Sequence, residues 1–313
     1  MNKLTVGVVQ ATPVFFNLNT TLERVDYWLQ QASEQNSDLV LFPESFIPGY
    51  PRGFTFDASI GHRSDQSRDL YQKYWENSVA VPSREVELLA DLAKKYRTYL
   101  GIGVTERDQV NGTLYCTLLY FSPEYGYLGK HRKLKPTGVE RLVWGEGQAD
   151  TLIAVNTKVG RLGGLICWEN YMPLARMAMY KMGVQIYLAP TADARANWTA
   201  TLQHIALEGR CFVLGCNQFF RREDYPAEYQ LFVKDYQEDF CRGGSIIVGP
   251  DGEVLSGPLY NKEGILTATI NLTNSVRHKL DFDVVGHYSR DDVFDLTISG
   301  QPSIIQEDKN KIK

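Results

Sequence analysis

The chain has 313 residues, enough to bury a large core, and its 43% hydrophobic and 22% charged residues are ordinary for a globular protein. A net charge of −4 argues against a nucleic-acid or anionic-membrane partner, and no apolar run approaches the ~18 residues of a membrane span. Five cysteines without a Cys-x-x-Cys pair, and an N-terminus with no signal-peptide layout, fit a reducing compartment, so a cytoplasmic location is expected.

Residues 4–9 read as a first strand. Thr20 and Glu23 have capping-box spacing, and Leu22, Val25, Leu29 and Ala32 recur at helical period behind them. Residues 38–42 read as a second buried strand ending in Pro43-Glu44, so a β-α-β unit delivers a glutamate at a strand's carboxyl end. Residues 45–82, carrying Phe54, Phe56, Tyr71, Tyr74 and Trp75, read as a long loop covering a site. Ser83 caps a helix with Val86, Leu89, Ala90 and Ala93 inward. Residues 99–105 and 114–121 form a hairpin through Asn111-Gly112, which makes the sheet mixed and excludes a purely parallel fold.

Residues 130–135 carry a basic block, and Pro136 and Gly138 place its lysines on an irregular segment. An apolar run from Leu162 through Gly163 and Gly164 stops on Cys167, and a helical pattern with Leu174, Met177, Ala178 and Met182 starts at Met172-Pro173. That layout puts a sulfur at the carboxyl end of a sheet, where open α/β architectures bind ligands, with a helix N-terminus nearby to favour the thiolate. Residues 184–188 form a strand ending in Ala189-Pro-Thr-Ala-Asp193, followed by a helix over 199–208 and a strand over 211–216. Residues 219–242 read as a second surface excursion. A hairpin from 245 through Pro250-Asp-Gly252 and a strand over 265–270 follow. With no repeat or linker, residues 1–300 read as one α/β domain, and residues 301–313 as a charged, disordered C-terminal tail.

Three ionisable groups thus follow strands or turns: Glu44, Lys133 and Cys167. A free thiol has a pKa of ~8.5 and needs a base or a cation to react, whereas Cys116, Cys211, Cys216 and Cys241 read as structural. Glutamate can take the thiol proton, and an ammonium ~4 Å from a carboxylate is attracted by roughly 4 kcal/mol at an effective dielectric of 20. On the residues alone this is a candidate cysteine hydrolase, and spacing does not decide whether the three groups meet.

Phe42-Pro43-Glu44, His131-Arg132-Lys133-Leu134 with Pro136-Thr137, and Cys167-Trp168-Glu169-Asn170 resemble, in order and separation, the three signature stretches of the nitrilase (carbon–nitrogen hydrolase) superfamily. Met172-Pro173 and Ala189-Pro-Thr-Ala-Asp193 are similar to the plant and bacterial type of nitrilase. The resemblance implies an α-β-β-α sandwich with two mixed sheets and a Glu-Lys-Cys triad. Glu44 is then the general base, Lys133 the electrostatic stabiliser and proton donor, and Cys167 the nucleophile; Glu140 supports the lysine. Tyr50, Thr137, Trp144 and Trp168, each beside a triad segment, are the expected substrate-binding residues and favour aromatic or arylaliphatic nitriles. The expected partner is a small-molecule nitrile, with no metal or other cofactor, no nucleic acid and no membrane. A homodimer or higher homo-oligomer is implied, the short tail weighing against long filaments. Glu169 is a rival base ranked below Glu44. The rival readings are an amidase or carbamoylase with the same triad, a protease pairing Cys167 with His204, and a noncatalytic binding module.

Overall fold

The computed structural model describes residues 3–58, 60–233, 240–300 and 302–307. In chain order its elements are β1 (Leu4–Gln10), α1 (Leu18–Glu34), β2 (Leu39–Leu41), α2 (Asp65–Glu76), β3 (Val79–Ala80), α3 (Arg84–Tyr96), β4 (Tyr99–Arg107), β5 (Leu114–Ser122), β6 (Gly126–Arg132), β7 (Ile153–Thr157) and β8 (Gly160–Gly164). Then come α4 (Pro173–Lys181), β9 (Ile186–Thr191), α5 (Trp198–Gly209), β10 (Phe212–Asn217), β11 (Phe219–Phe220), α6 (Ala227–Gln230), β12 (Cys241–Val248), β13 (Val254–Tyr260), β14 (Gly264–Ile270), α7 (Thr273–His278) and β15 (Ser303–Gln306).

The strands form two mixed sheets. One has seven strands in the order β14-β1-β2-β4-β5-β6 with β3 on β4; the other has eight in the order β11-β12-β10-β9-β8-β7-β15 with β13 on β12. Strand alternation assigns the layers. Leu39 and Leu41 of β2 point into a core shared with Leu162, Leu188 and Leu214 of the second sheet, whereas Val40 and Phe42 point out to α1 and α3. On the far side Ala154, Tyr187 and Val213 pack under α4 and α5. Three apolar layers therefore separate helix, sheet, sheet and helix, giving the expected α-β-β-α sandwich.

Several local expectations are corrected. Helix α1 begins at Leu18, capped by Asn17, whose Oδ1 accepts the Thr20 N–H at 3.1 Å. Thr20 is therefore inside the first turn, because an equally good capping side chain stands three residues earlier. The segment over 45–82 contains α2, which buries Leu70 and Tyr74. Its apolar stripe, Leu70 and Tyr74 with the half-buried Tyr71 and Trp75, lies behind a wholly polar first turn. Residues 219–233 fold back rather than out, burying Phe220, Tyr225 and Val233. On α4, Leu174 is exposed and Ala175, Ala178, Met179 and Met182 face the sheet, since small alanines let the helix approach closely. Strands β6 and β7 complete sheets that the sequence pattern left short. The expected disordered tail is also corrected: Ser303–Gln306 pair in parallel with β7, and Tyr99 donates to the Glu307 carboxylate at 2.8 Å. Residues 301 and 308–313 of that tail lie outside the described residues. No helix among the described residues is long and apolar enough to cross a membrane.

Candidate active site

Glu44, Lys133 and Cys167 follow the carboxyl ends of β2, β6 and β8, and Thr191 ends β9, so both sheets deliver side chains to one spot. Glycine makes two of these placements possible. A Cβ at Gly103 of β4 would sit 2.6 Å from the Glu44 Cα and collide with the Pro43 carbonyl; one at Gly164 would collide with the Leu188 carbonyl of β9. Beyond β8 the chain turns at Cys167, whose φ of +50° is left-handed and strained for a residue with a side chain.

Glu44 and Lys133 are fully buried, and Glu140 reaches the edge of solvent. Lys133 Nζ donates to Glu44 Oε1 at 2.6 Å and to Glu140 Oε2 at 2.8 Å. Glu140 also accepts from the Tyr50 hydroxyl at 2.6 Å and the Thr137 N–H at 2.7 Å. The second Glu44 oxygen accepts the Ala192 N–H at 3.0 Å, and the Cys116 thiol donates to the first at 3.4 Å. Thr191 Oγ1 donates to Cys167 Sγ at 3.2 Å. Two consecutive residues at the end of β9 thus hold the cysteine and the glutamate.

Two carboxylates face one ammonium here. Burial raises the Glu44 carboxyl, Lys133 pulls it back and the Glu140 charge pushes it up again, leaving it above its ordinary value. Burial works against charge on Lys133, but Glu44, Cys167 and Glu140 more than offset this and hold it well above the usual ammonium range. Burial and then the Glu44 charge raise the Cys167 thiol, so it rests protonated beside a carboxylate with raised proton affinity. Such an arrangement can move a proton from sulfur to carboxylate as a carbon–sulfur bond forms.

A cleft of about 680 Å³ opens over this group, lined among others by Tyr50, Thr137, Cys167 and Trp168, as expected, and by Arg52, Asp193, Arg195 and Arg242. Its lining is more polar than the expected aromatic pocket. Trp168 caps one side, its indole N–H donating to Asp193 at 2.8 Å and its face covered by the Arg195 guanidinium at 4.7 Å. Trp144 is not on this cleft. It is buried behind Lys133, 6.0 Å from Nζ to the ring centre, and lines an adjoining hollow of about 300 Å³ with Phe54 and Phe56.

The rival residues go elsewhere. His204 is exposed on α5 and faces Glu208 at 3.6 Å. Glu169 is buried and bound to His131 and to the Leu134 and Ile166 N–H groups. Lys135 pairs at the surface with Glu146. Thr191, Ala192 and Arg52 were not among the expected site residues, while Cys116, read as structural, is buried against Glu44. The Ala189-Pro-Thr-Ala-Asp193 segment that ends β9 was the available signal for two of them.

Residues 5–277 match the carbon–nitrogen hydrolase family. An aliphatic nitrilase of Sinorhizobium fredii (strain HH103) is 48% identical over 303 residues, covering 96% of this chain and 97% of that protein. The bifunctional nitrilase/nitrile hydratase NIT4A of Lupinus angustifolius is 47% identical over 302 residues, covering 95% and 86%. Among solved structures, Saccharomyces cerevisiae Nit3, a member of branch 10 of the nitrilase superfamily, shares the fold with a TM-score of 0.72 at 21% identity, covering 91% and 96%.

Proposed function

Since this chain belongs to the carbon–nitrogen hydrolase family, we propose its chemistry from that premise. It is a nitrilase, hydrolysing an organic nitrile to the carboxylic acid and ammonia. The observation that carries the assignment of roles is the Lys133 ammonium 2.6 Å from Glu44, with Thr191 and Ala192 holding Cys167 and Glu44 side by side.

Cys167 sulfur adds to the nitrile carbon as its proton passes to Glu44 and on to nitrogen, giving a thioimidate. Lys133, with the Trp168 N–H in the first turn after the nucleophile, stabilises charge developing on nitrogen. Water then adds to the carbon, giving up its proton through Glu44 to nitrogen. The remaining hydroxyl proton passes to nitrogen by way of Glu44 as the carbon–nitrogen bond breaks, so ammonia leaves and a thioester carbonyl remains. A second water, deprotonated by Glu44, displaces sulfur and releases the acid, and Cys167 regains its proton. Glu140 holds Lys133 in place, and Tyr50, Thr137 and Trp168 contact the substrate. If the carbon–sulfur bond of the first tetrahedral species breaks instead, amide leaves. Relatives named as both nitrilase and nitrile hydratase support expecting some of it.

The protein acts as a cytoplasmic homodimer or higher homo-oligomer on a small-molecule nitrile. Matched nitrile and amide pairs, assayed for ammonia with one purified sample, test the reading. Nitriles are turned over faster, and Cys167→Ala abolishes the reaction. Faster release from amides, or full nitrile hydrolysis by Cys167→Ala, overturns it.

A further inference from the structure

Glu169 and His131 form a fully buried pair outside the reacting groups. His131 Nδ1 faces the Thr151 carbonyl oxygen at 3.1 Å, so that nitrogen carries a hydrogen. Its Nε2 faces Glu169 Oε2 at 3.0 Å, and a second proton must lie between these two atoms, which otherwise are both acceptors. The Glu169 oxygens also accept the Leu134 N–H and the Ile166 N–H, each at 2.7 Å. Leu134 directly follows Lys133, and Ile166 directly precedes Cys167. One carboxylate therefore clamps the backbone beside the lysine to the backbone beside the nucleophile.

The strain at Cys167 gives the clamp a purpose. A left-handed non-glycine residue persists only where its surroundings over-determine it. Glu169 holds the chain before Cys167. Asn170 holds it after, its Nδ2 donating to the Cys167 oxygen at 2.8 Å and to Leu165 at 2.9 Å. The Tyr187 hydroxyl fixes the Asn170 Oδ1 at 2.8 Å.

We propose that Glu169, held by His131, is a positioning residue that keeps Cys167 in its left-handed conformation and in register with Lys133, and so governs the chemical step rather than substrate binding. The kinetic part of this rests on the nitrilase reading; the reactivity of the thiol does not.

Glu169→Gln turns an amide nitrogen toward one of the two backbone N–H groups. Its kcat falls by about 10- to 100-fold while KM stays within about threefold. The rate at which iodoacetamide alkylates Cys167, followed by mass spectrometry without any nitrile, falls in parallel. His131→Gln, which can still donate to Glu169, stays within about fivefold of the parent, and His131→Leu is as impaired as Glu169→Gln. Rates within about twofold of the parent in both Glu169→Gln and His131→Leu, or a loss confined to KM, overturn the proposal. If Glu169→Gln does not fold, the contrast between the two His131 variants decides. A parent protein that releases no ammonia from nitriles rejects the nitrilase reading instead, and the alkylation rates still test the clamp.

Discussion

Lys133 donates to Glu44 at 2.6 Å although 89 residues separate them. The two lie at the carboxyl ends of β6 and β2, strands that are not neighbours in their sheet. Their contact is made possible by β4 and β5, which set the spacing between those ends. Burial sets the basicity of Glu44 first, Lys133 pulls it back, and the second carboxylate on Lys133, that of Glu140, raises it again.

Acid inactivation follows from that arrangement. As the proposed general base Glu44 works only when unprotonated, and burial together with Glu140 lifts its pKa above the ordinary value. As pH falls, kcat/KM is therefore lost earlier than for a solvated glutamate, whose pKa is about 4.3. A pH–rate profile with saturating and limiting nitrile measures this, and an acid limb at or below that value contradicts it.

Glu140→Gln removes the charge that raises Glu44 and one acceptor for Lys133. Ammonia release should fall by about 10²- to 10³-fold, and the residual activity should show its acid limb at lower pH than the parent. Unchanged turnover, or a limb moved to higher pH, contradicts the support assigned to Glu140.

Gly103→Ala tests the placement of Glu44 without altering a polar side chain. Its methyl would meet the Glu44 Cα and the Ser45 nitrogen at 2.6 and 2.7 Å. The backbone must shift, at a cost of about 1–3 kcal/mol in stability, with kcat down about tenfold or more. Denaturant melts and steady-state assays on the same sample report both.

Thr191→Val keeps the shape of the strand end and deletes the hydrogen bond to Cys167 Sγ. That bond lowers the thiol pKa against the effect of burial, so its loss slows alkylation of Cys167 at fixed pH. A decrease of about three- to tenfold is expected, with KM unaffected.

Glu106 offers a stability test away from the chemistry. It is buried, and accepts from Arg132 at 2.6 Å and Lys130 at 2.5 Å. Burial alone would raise its carboxyl, but the two cations hold it below the ordinary value. The stabilisation is thus complete above the unfolded-state pKa and is lost as pH falls through the lower folded one. Glu106→Gln should cost about 1–3 kcal/mol at neutral pH, and the gap to the parent should close in acid. Thermal melts across pH read the difference.

Local signals carried much of the fold. The β2 pattern that ends in Pro43-Glu44, the Asn111-Gly112 hairpin and the Ser83 cap each depend on residues within a turn or two, and the structure contains all three. The same reasoning failed where local signal was weak or shared. Two buried residues were too few to reveal α2. Ser303–Gln306 become a strand because β7 offers an open edge, which the tail's own composition does not record.

By itself the sequence singled out the three groups proposed to carry chemistry, Glu44, Lys133 and Cys167, because each ends a recognisable strand or motif. Only the tertiary structure decided what surrounds them. It put Glu140 on the lysine with Tyr50 on Glu140, moved Trp144 behind the lysine and bound Glu169 to the backbone N–H groups of Leu134 and Ile166. Side-chain type and short-range period are written along the chain. Proton affinity and contact depend on burial and on which strand ends coincide, and those follow from sheet order and from the packing of one sheet on the other.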